Sequence, residues 1–567
     1  MVTDSSQVQQ IVEAPGPEET PAAALAPSGG PSRAVRAVTL LLILVVALAL
    51  RLAGIRWGMP LLCHPDEHRT VEAAAQMVAR KTIEPDFYNW PNHVFIYLNE
   101  AIYPIASALR FHQPLARTYR PNVDYFTLVS RVGVAILGTL MVLVAYLLAS
   151  HYGFAVGALT AALFALFPSY IEHSHYVTPD VPLTLFVLLV MLLAMKYLRT
   201  GASRYLFLAG MCAALATGVK YPGAITLALI AAAVLGRSWR DRRGIISGFV
   251  TTGIAYLVSL FVFTPYLMLR SEKVIAAVRH EAKSRHLGAE GLSWLGNMAY
   301  YADSYLGAAG ILLLAFGLAG AVAIIRRERI FAIPALFGLF YWLTLSRHPL
   351  HWERWALPMY SSGLLLGAYG IVAAWRWAGQ ASRRRALATG VVLAASAISL
   401  ASLTLSGLVK TLSATLEDTR AVGLRFLEER GITRQNSISD GATPLVPASG
   451  PSCAQDLAKL KPEIEFIIIS EYMYGRYIKA GAGYEVQKAF YQKLGELPVV
   501  KELRPIKARH RLETLDVDEK TLQNSTTFEL ANIAEGLVFI VDYLTRPGEM
   551  WIGPTIKVLA APPRPAA

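Results

Sequence analysis

Two adjacent carboxylates, Asp66 and Glu67, follow closely on a long apolar run, 35–55. Further along, Asp180 closes the stretch EHSHYVTPD, and Lys220 stands at the junction of two apolar runs. Arg347, His348 and Arg354 lie in RHPLHWERW. A carboxylate of this kind can serve as a general base or as a metal ligand. Arginine offers a planar fork to phosphate oxygens and lysine a point charge. Gathered at a membrane surface, these groups suit a lipid-linked phosphosugar. The lipid tail would lie in the bilayer and the phosphate would meet Lys and Arg. A carboxylate would then take the proton of an incoming nucleophile. A divalent ion held by Asp66 and Asp180 is also open; otherwise no cofactor is called for.

The elements that must position these residues are membrane helices. Of the 567 residues, 54% are hydrophobic and only 16% charged, against about 25% charged in an ordinary soluble protein. Apolar runs recur at 35–55, 125–149, 154–171, 181–198, 205–219, 222–236, 244–263, 305–325, 330–346, 356–375 and 386–407. This gives about eleven spans, each needing roughly 20 apolar residues. The segment 92–109 carries His93, Asn99 and Glu100 and reads as a helix lying in the interface. With the N-terminus inside, the basic loops 196–204, 237–243, 326–329 and 376–385 all fall on the cytoplasmic side, as the positive-inside rule requires. The same rule accounts for much of the net charge of +13, so nucleic-acid binding is not expected. Loops 56–124, 172–180, 264–304 and 347–355, the Lys220 junction and the C-terminal part then share the opposite face. No Asp or Glu falls in the apolar cores, which disfavours a charged path through the bilayer. The three cysteines are too scattered for a disulfide framework.

Each candidate also has a plainer reading. Asp66 and Glu67 suit the first turn of a helix over 67–80, preceded by Pro65. Asp180 before Pro182 suits an N-cap. Lys220 and Arg354 could snorkel from span ends. His64 and His68 are four apart, but Pro65 starts the helix after His64, which argues against a shared zinc.

The stretches PDEHRTVEAAAQMV and YNWPNHVFIYLNE together resemble the first external loop of the GT-C glycosyltransferases. They are most similar to family 39, the group of protein O-mannosyltransferases and lipid A aminoarabinose transferases. HSHYVTPDVPLTLF resembles that family's second external Asp before a span, and residues 214–225 its Lys at a span end. RHPLHWERWALP resembles its basic stretch running into an Arg-Tyr pair, and LEDTRAVGLRFLEERG the start of its soluble tail. The resemblance implies inverting transfer of a sugar from a polyprenyl-phosphate donor to a hydroxyl or phosphate of a protein, glycolipid or glycan acceptor. It implies Asp66 as general base, Glu67 shaping the acceptor pocket and Asp180 positioning the site or the sugar. Lys220 and Arg354 would hold the donor phosphate, with His348 or Arg347 helping. The chain departs from the family at 89–93, where Asn-Trp-Pro-Asn-His replaces a Lys-Pro-Pro-Leu stretch, and at Trp355, where the family has Tyr.

Beyond 411 the apolar density falls. A helix over 415–429, strands over 464–469 and 499–504, and a helix over 484–494 suggest a small α/β domain. The expected architecture is a polytopic α-helical membrane protein of GT-C type. It comprises a disordered cytoplasmic tail (1–32), a transmembrane glycosyltransferase domain (33–410) and an extracytoplasmic α/β domain (411–567). The first run is expected to be a retained span in the cell (inner) membrane rather than a signal peptide. No phosphate-cradling Gly-rich motif is present, so a nucleotide sugar is not the expected direct donor. Two other classes compete: a transporter or flippase of lipid-linked sugars, which would need polar groups within the spans, and a non-catalytic membrane scaffold.

Overall fold

The computed structural model describes residues 31–562 except 240, 283–291, 328–331, 349, 380–385, 446–456, 458–459, 480–482, 506–528, 547 and 549. The tail 1–30, Arg240, the basic residues at 283–286 and 383–385, and an Asn-Ser-Thr sequon at 524–526 therefore lie outside the described residues. Every apolar run contains a helix. Among the described residues, seven helices are long and apolar enough to cross a membrane, and the bent pair Trp294–Ala309 and Ile311–Arg327 would make an eighth. The others, Phe154–Leu166, Ser203–Val219 and Ile333–Leu345, are shorter. At 1.5 Å per residue, a helix of 13 residues reaches about 20 Å, short of a hydrocarbon core of about 30 Å. The expected eleven spans are thus seven or eight of full length plus three shorter apolar helices. Helix His93–Phe111 is not among the full-length spans; it buries His93, Asn99 and Ser107.

Two breaks reshape the runs. The run 154–171 divides at Phe167, held extended by the following Pro168. The carbonyls left without helical partners at Phe164 and Ala165 accept from the buried guanidinium of Arg51, which meets the need for internal satisfaction at this depth. The run 305–325 divides at Gly310, which adopts a φ of +84° between helices Trp294–Ala309 and Ile311–Arg327 and lets the chain bend by 110°. A Cβ there would strike the Glu529 carboxylate, which accepts the Leu312 amide at 2.6 Å. Helix Ile311–Arg327 then crosses helix Leu357–Gly379 at Gly320 and Gly370, where a side chain would collide with the opposing backbone. Small residues permit this close approach, and it sets the position of the turn Glu353–Ala356 at the head of the second helix.

The segment between the first two full-length spans forms a two-helix layer. Helix Glu67–Arg80 buries Val71, Ala74 and Met77 against Phe95, Ile96 and Tyr103 of His93–Phe111. The C-terminal region holds a four-stranded sheet in the order Ser437–Ser439, Phe466–Ser470, Ile556–Ala560, Val499–Leu503. The first pair is parallel and the others antiparallel. Alternation in the second of these strands sends Ile467 and Ile469 to Phe490 and Leu494, and Ile468 to Leu427 and Val558. The helix expected over 415–429 starts at Thr419, because Asp418 caps it through the Arg420 amide and 417–418 pair with Trp551–Ile552. The last membrane helix runs on to Ser413, past the expected boundary.

Candidate active site

Four of the expected residues meet. Asp66 occupies the N-cap position of helix Glu67–Arg80 but makes no side-chain capping bond. Its carboxylate instead faces Arg354, 3.2 Å from the guanidinium, with both side chains partly open to solvent. Asp180 is the first residue of helix Asp180–Thr200. It is buried and accepts a hydrogen bond from the Lys220 ammonium at 2.7 Å. Lys220 sits where helix Ser203–Val219 ends in an extended residue before Tyr221 and Pro222. It therefore points into the site rather than snorkelling away. The two pairs are neighbours, since Lys220 feels the charges of Asp180, Arg354 and Asp66. Burial pulls the Lys220 pKa below the ordinary lysine value, with Asp180 opposing.

Aromatic rings back the cations. The Lys220 ammonium lies 5.5 Å from the centre of the Trp355 ring, and Arg354 lies 5.4 Å from that of Trp352. His348 meets the edge of Trp355 at 4.9 Å. Arg347 is exposed, with its guanidinium over Trp294. The 346–356 segment is held from below. Asn297 donates to the carbonyls of Ser346 and His348, the Trp352 amide donates to Tyr301, and Ser169 donates to Glu353.

Glu67 takes a different place from its neighbour. It is 1% exposed and receives two bonds from Arg131, at 2.8 and 2.6 Å, and one from the Val177 amide at 2.9 Å. Burial alone would raise its pKa; the Arg131 charge outweighs this and holds the carboxyl below its ordinary value. Arg131 also donates to the carbonyls of Ile55 and Trp57. This pair welds the end of the first span, the helix bearing Asp66 and the strap leading to Asp180. Glu67 thus faces the protein interior rather than an acceptor pocket.

Sequence reasoning passed over three of these supports. Arg131, a lone charge inside the run 125–149, was a legible signal for a buried partner. His64 accepts the Asp66 amide through Nδ1 at 3.2 Å and packs on Tyr176 at 4.5 Å; burial keeps its pKa down. Arg420 of the C-terminal region donates to the Cys63 carbonyl, one residue before His64. The atypical segment at 89–93 is structural as well. The Asn92 amide donates to the Val219 carbonyl, beside Lys220, and the fully buried His93 bonds the Phe87 carbonyl. A resident divalent ion fits this arrangement poorly. Asp66 and Asp180 are each occupied by a cation, and no group of three metal-capable side chains occurs among the described residues.

Residues 74–272 match the family model described as dolichyl-phosphate-mannose-protein mannosyltransferase. Among solved structures, the apo oligosaccharyltransferase of Archaeoglobus fulgidus superposes with a TM-score of 0.50 at 12% identity, over 94% of this chain and 89% of that one. The fold is that of the GT-C superfamily. The same Archaeoglobus enzyme tethered to an acceptor peptide also aligns, over 82% of this chain and 73% of that one, at a TM-score of 0.50 and 12% identity. ArnT of Cupriavidus metallidurans bound to undecaprenyl phosphate aligns at 15% identity and a TM-score of 0.46, covering 71% of this chain and 74% of its own. No curated protein matches the chain by sequence.

Proposed function

We propose that the protein is a membrane glycosyltransferase that moves a sugar from a polyprenyl-phosphate donor to an acceptor hydroxyl or phosphate, with inversion at the anomeric carbon. The observation that carries this reading is the alternation of charges, Asp66 with Arg354 and Lys220 with Asp180, in one place. The match of residues 74–272 to a model for enzymes using a dolichyl-phosphate sugar supports the donor class.

In the reaction, the donor phosphate binds Arg354 and Lys220. Arg354 turns from Asp66 towards the phosphate, which frees the carboxylate to accept a proton. Asp66 then takes the acceptor proton as the acceptor oxygen attacks the anomeric carbon from the face opposite the phosphate. The bond to the phosphate oxygen breaks, and the polyprenyl phosphate leaves with the electron pair, its charge held by the two cations. Asp180 keeps Lys220 aimed at that oxygen. Glu67 positions Asp66 through the helix start. His348 steadies Trp355, and Arg347 lies at the rim. The acceptor reaches the site from the face carrying the C-terminal region, the extracytoplasmic side of the cell membrane.

The test is transfer from a purified polyprenyl-phosphate sugar in proteoliposomes, using wild type and Asp66→Asn. Product should form with wild type only, and a nucleotide sugar should not replace the donor. Full activity of Asp66→Asn would refute the assignment. Movement of the lipid-linked sugar across the membrane without a new glycosidic bond would favour a flippase.

A further inference from the structure

Helix Glu529–Thr545 lies in sequence between two strands of the sheet, Val499–Leu503 and Ile556–Ala560, yet it packs on the last membrane helix, Ala386–Ser413. Its contacts fix direction and depth. Gly536 lies against Leu405, Phe539 clusters with Val409 and Leu412, and the Tyr543 hydroxyl bonds Thr415 at 2.9 Å. The two helices therefore run side by side in the same direction. At 1.5 Å per residue, Leu405 lies about 12 Å before the end of the membrane helix at Ser413, and Glu529 about 10 Å deeper still. The membrane helix has 28 residues, hence about 42 Å, against a hydrocarbon core of about 30 Å. Even with the whole excess of about 12 Å projecting beyond the membrane at the Ser413 end, residues 529–536 lie at hydrocarbon depth.

The side chains agree with that depth. The face turned away from the bundle carries Leu530, Leu537, Val538, Val541 and Leu544, each between 52% and 73% exposed. Their spacing of three, four and seven is one helical stripe, and it contains no charge. Glu529, at the deep end, is 3% exposed and satisfied by the Leu312 amide. The pair Asp542–Arg546 stands at the shallow end. Glu535 borders the stripe on the Val538 side and Asn532 lies towards the packed face with Phe539, and neither lacks a partner. The membrane helix it packs on also bears open apolar side chains, Val391 and Leu393 among them.

We infer that helix Glu529–Thr545 is embedded in the leaflet at the Ser413 end, with its Leu530–Leu544 stripe against lipid acyl chains. The partner is lipid rather than a second protein chain. The C-terminal region is thereby anchored in the bilayer, and its anchor caps the helix that starts at the Gly310 bend. The test places a photo-activated benzophenone amino acid at Leu537 or Val541 in protein reconstituted into phosphatidylcholine–phosphatidylglycerol vesicles. Control probes sit at Val391 and at the exposed Glu428 of the sheet region. Peptides bearing the probe at 537 or 541 should gain the mass of one phospholipid, as at 391, whereas those at 428 should not. Adducts joining two protein chains at 537 or 541 would overturn the inference in favour of a dimer contact. Absence of lipid adducts at both sites, with labelling at 391, would overturn it in favour of a water-facing helix. The readout is independent of transfer activity, so its failure is distinct from failure of the proposed reaction.

Discussion

Arg131 and Glu67 form a doubly hydrogen-bonded ion pair, 2.6 and 2.8 Å long, with both side chains shut off from solvent. The pair sits between the carbonyls that close the first span and the amide of Val177. Removing one member strands the other. Arg131→Met alone should therefore cost about 3–5 kcal/mol, read as a loss of thermal stability in detergent. The double variant Arg131→Met, Glu67→Met should recover much of that stability. It should not recover transfer, because the Val177 amide and the helix bearing Asp66 lose their common anchor.

Asp66→Asn should behave in the opposite way. Asp66 makes no capping bond, and its ion pair with Arg354 is partly solvated, so stability should change by less than about 1 kcal/mol. Turnover should fall by about 10²–10⁴-fold if proton transfer limits the reaction. Arg354→Gln should mainly raise KM for the donor. Steady-state kinetics with varied donor separates the two effects.

Lys220 gives the reaction an alkaline limit. In the proposed reaction its ammonium holds the phosphate, and burial brings its pKa below the ordinary lysine value despite Asp180. Activity should therefore decline on the alkaline side below about pH 10.4, the reference lysine value. Lys220→Arg retains the charge throughout this range, so its residual activity should lose that alkaline limb. A pH profile of kcat/KM at saturating acceptor checks both.

Acid should loosen the same region. His64 is buried with its pKa lowered, and burial takes His175 and His351 to about 4. These groups bind protons more weakly folded than unfolded. Their contribution is fully present above the unfolded value of about 6.5 and is lost as pH falls below it, for His175 and His351 down towards about 4. Thermal stability should drop across that window, by up to about 1.4 kcal/mol per pH unit for each histidine. His175→Gln should flatten the curve if the fold tolerates it.

Much of this was legible in the chain. Each apolar run carries a helix, because length and hydropathy dominate once water is absent. Asp66, Asp180, Lys220 and Arg354, which the fold brings together, could be singled out because charged residues at the ends of apolar runs stand out. What could not be read was pairing across long separations. Nothing local says that Glu67 turns inward to Arg131 while Asp66, one residue away, turns to Arg354. A helix start sends successive side chains about 100° apart, and only the tertiary arrangement decides which one is buried. The break at Gly310 was hidden because its partner, Glu529, arrives from 219 residues away. The helix Glu529–Thr545 was overlooked because it lies beyond the drop in apolar density.

The quartet at the centre of the site carries its own counter-ions. With two carboxylates set against two cations, it projects little net field into the surrounding water. A freely diffusing phosphate would find weak attraction there and would have to displace Asp66 or Asp180 with no help from elsewhere. A donor already confined to the bilayer by its tail arrives at high effective concentration and can make that exchange. Self-neutralisation would thus act as a filter, screening out the abundant small anions of the aqueous phase in favour of a scarce one delivered sideways through the lipid.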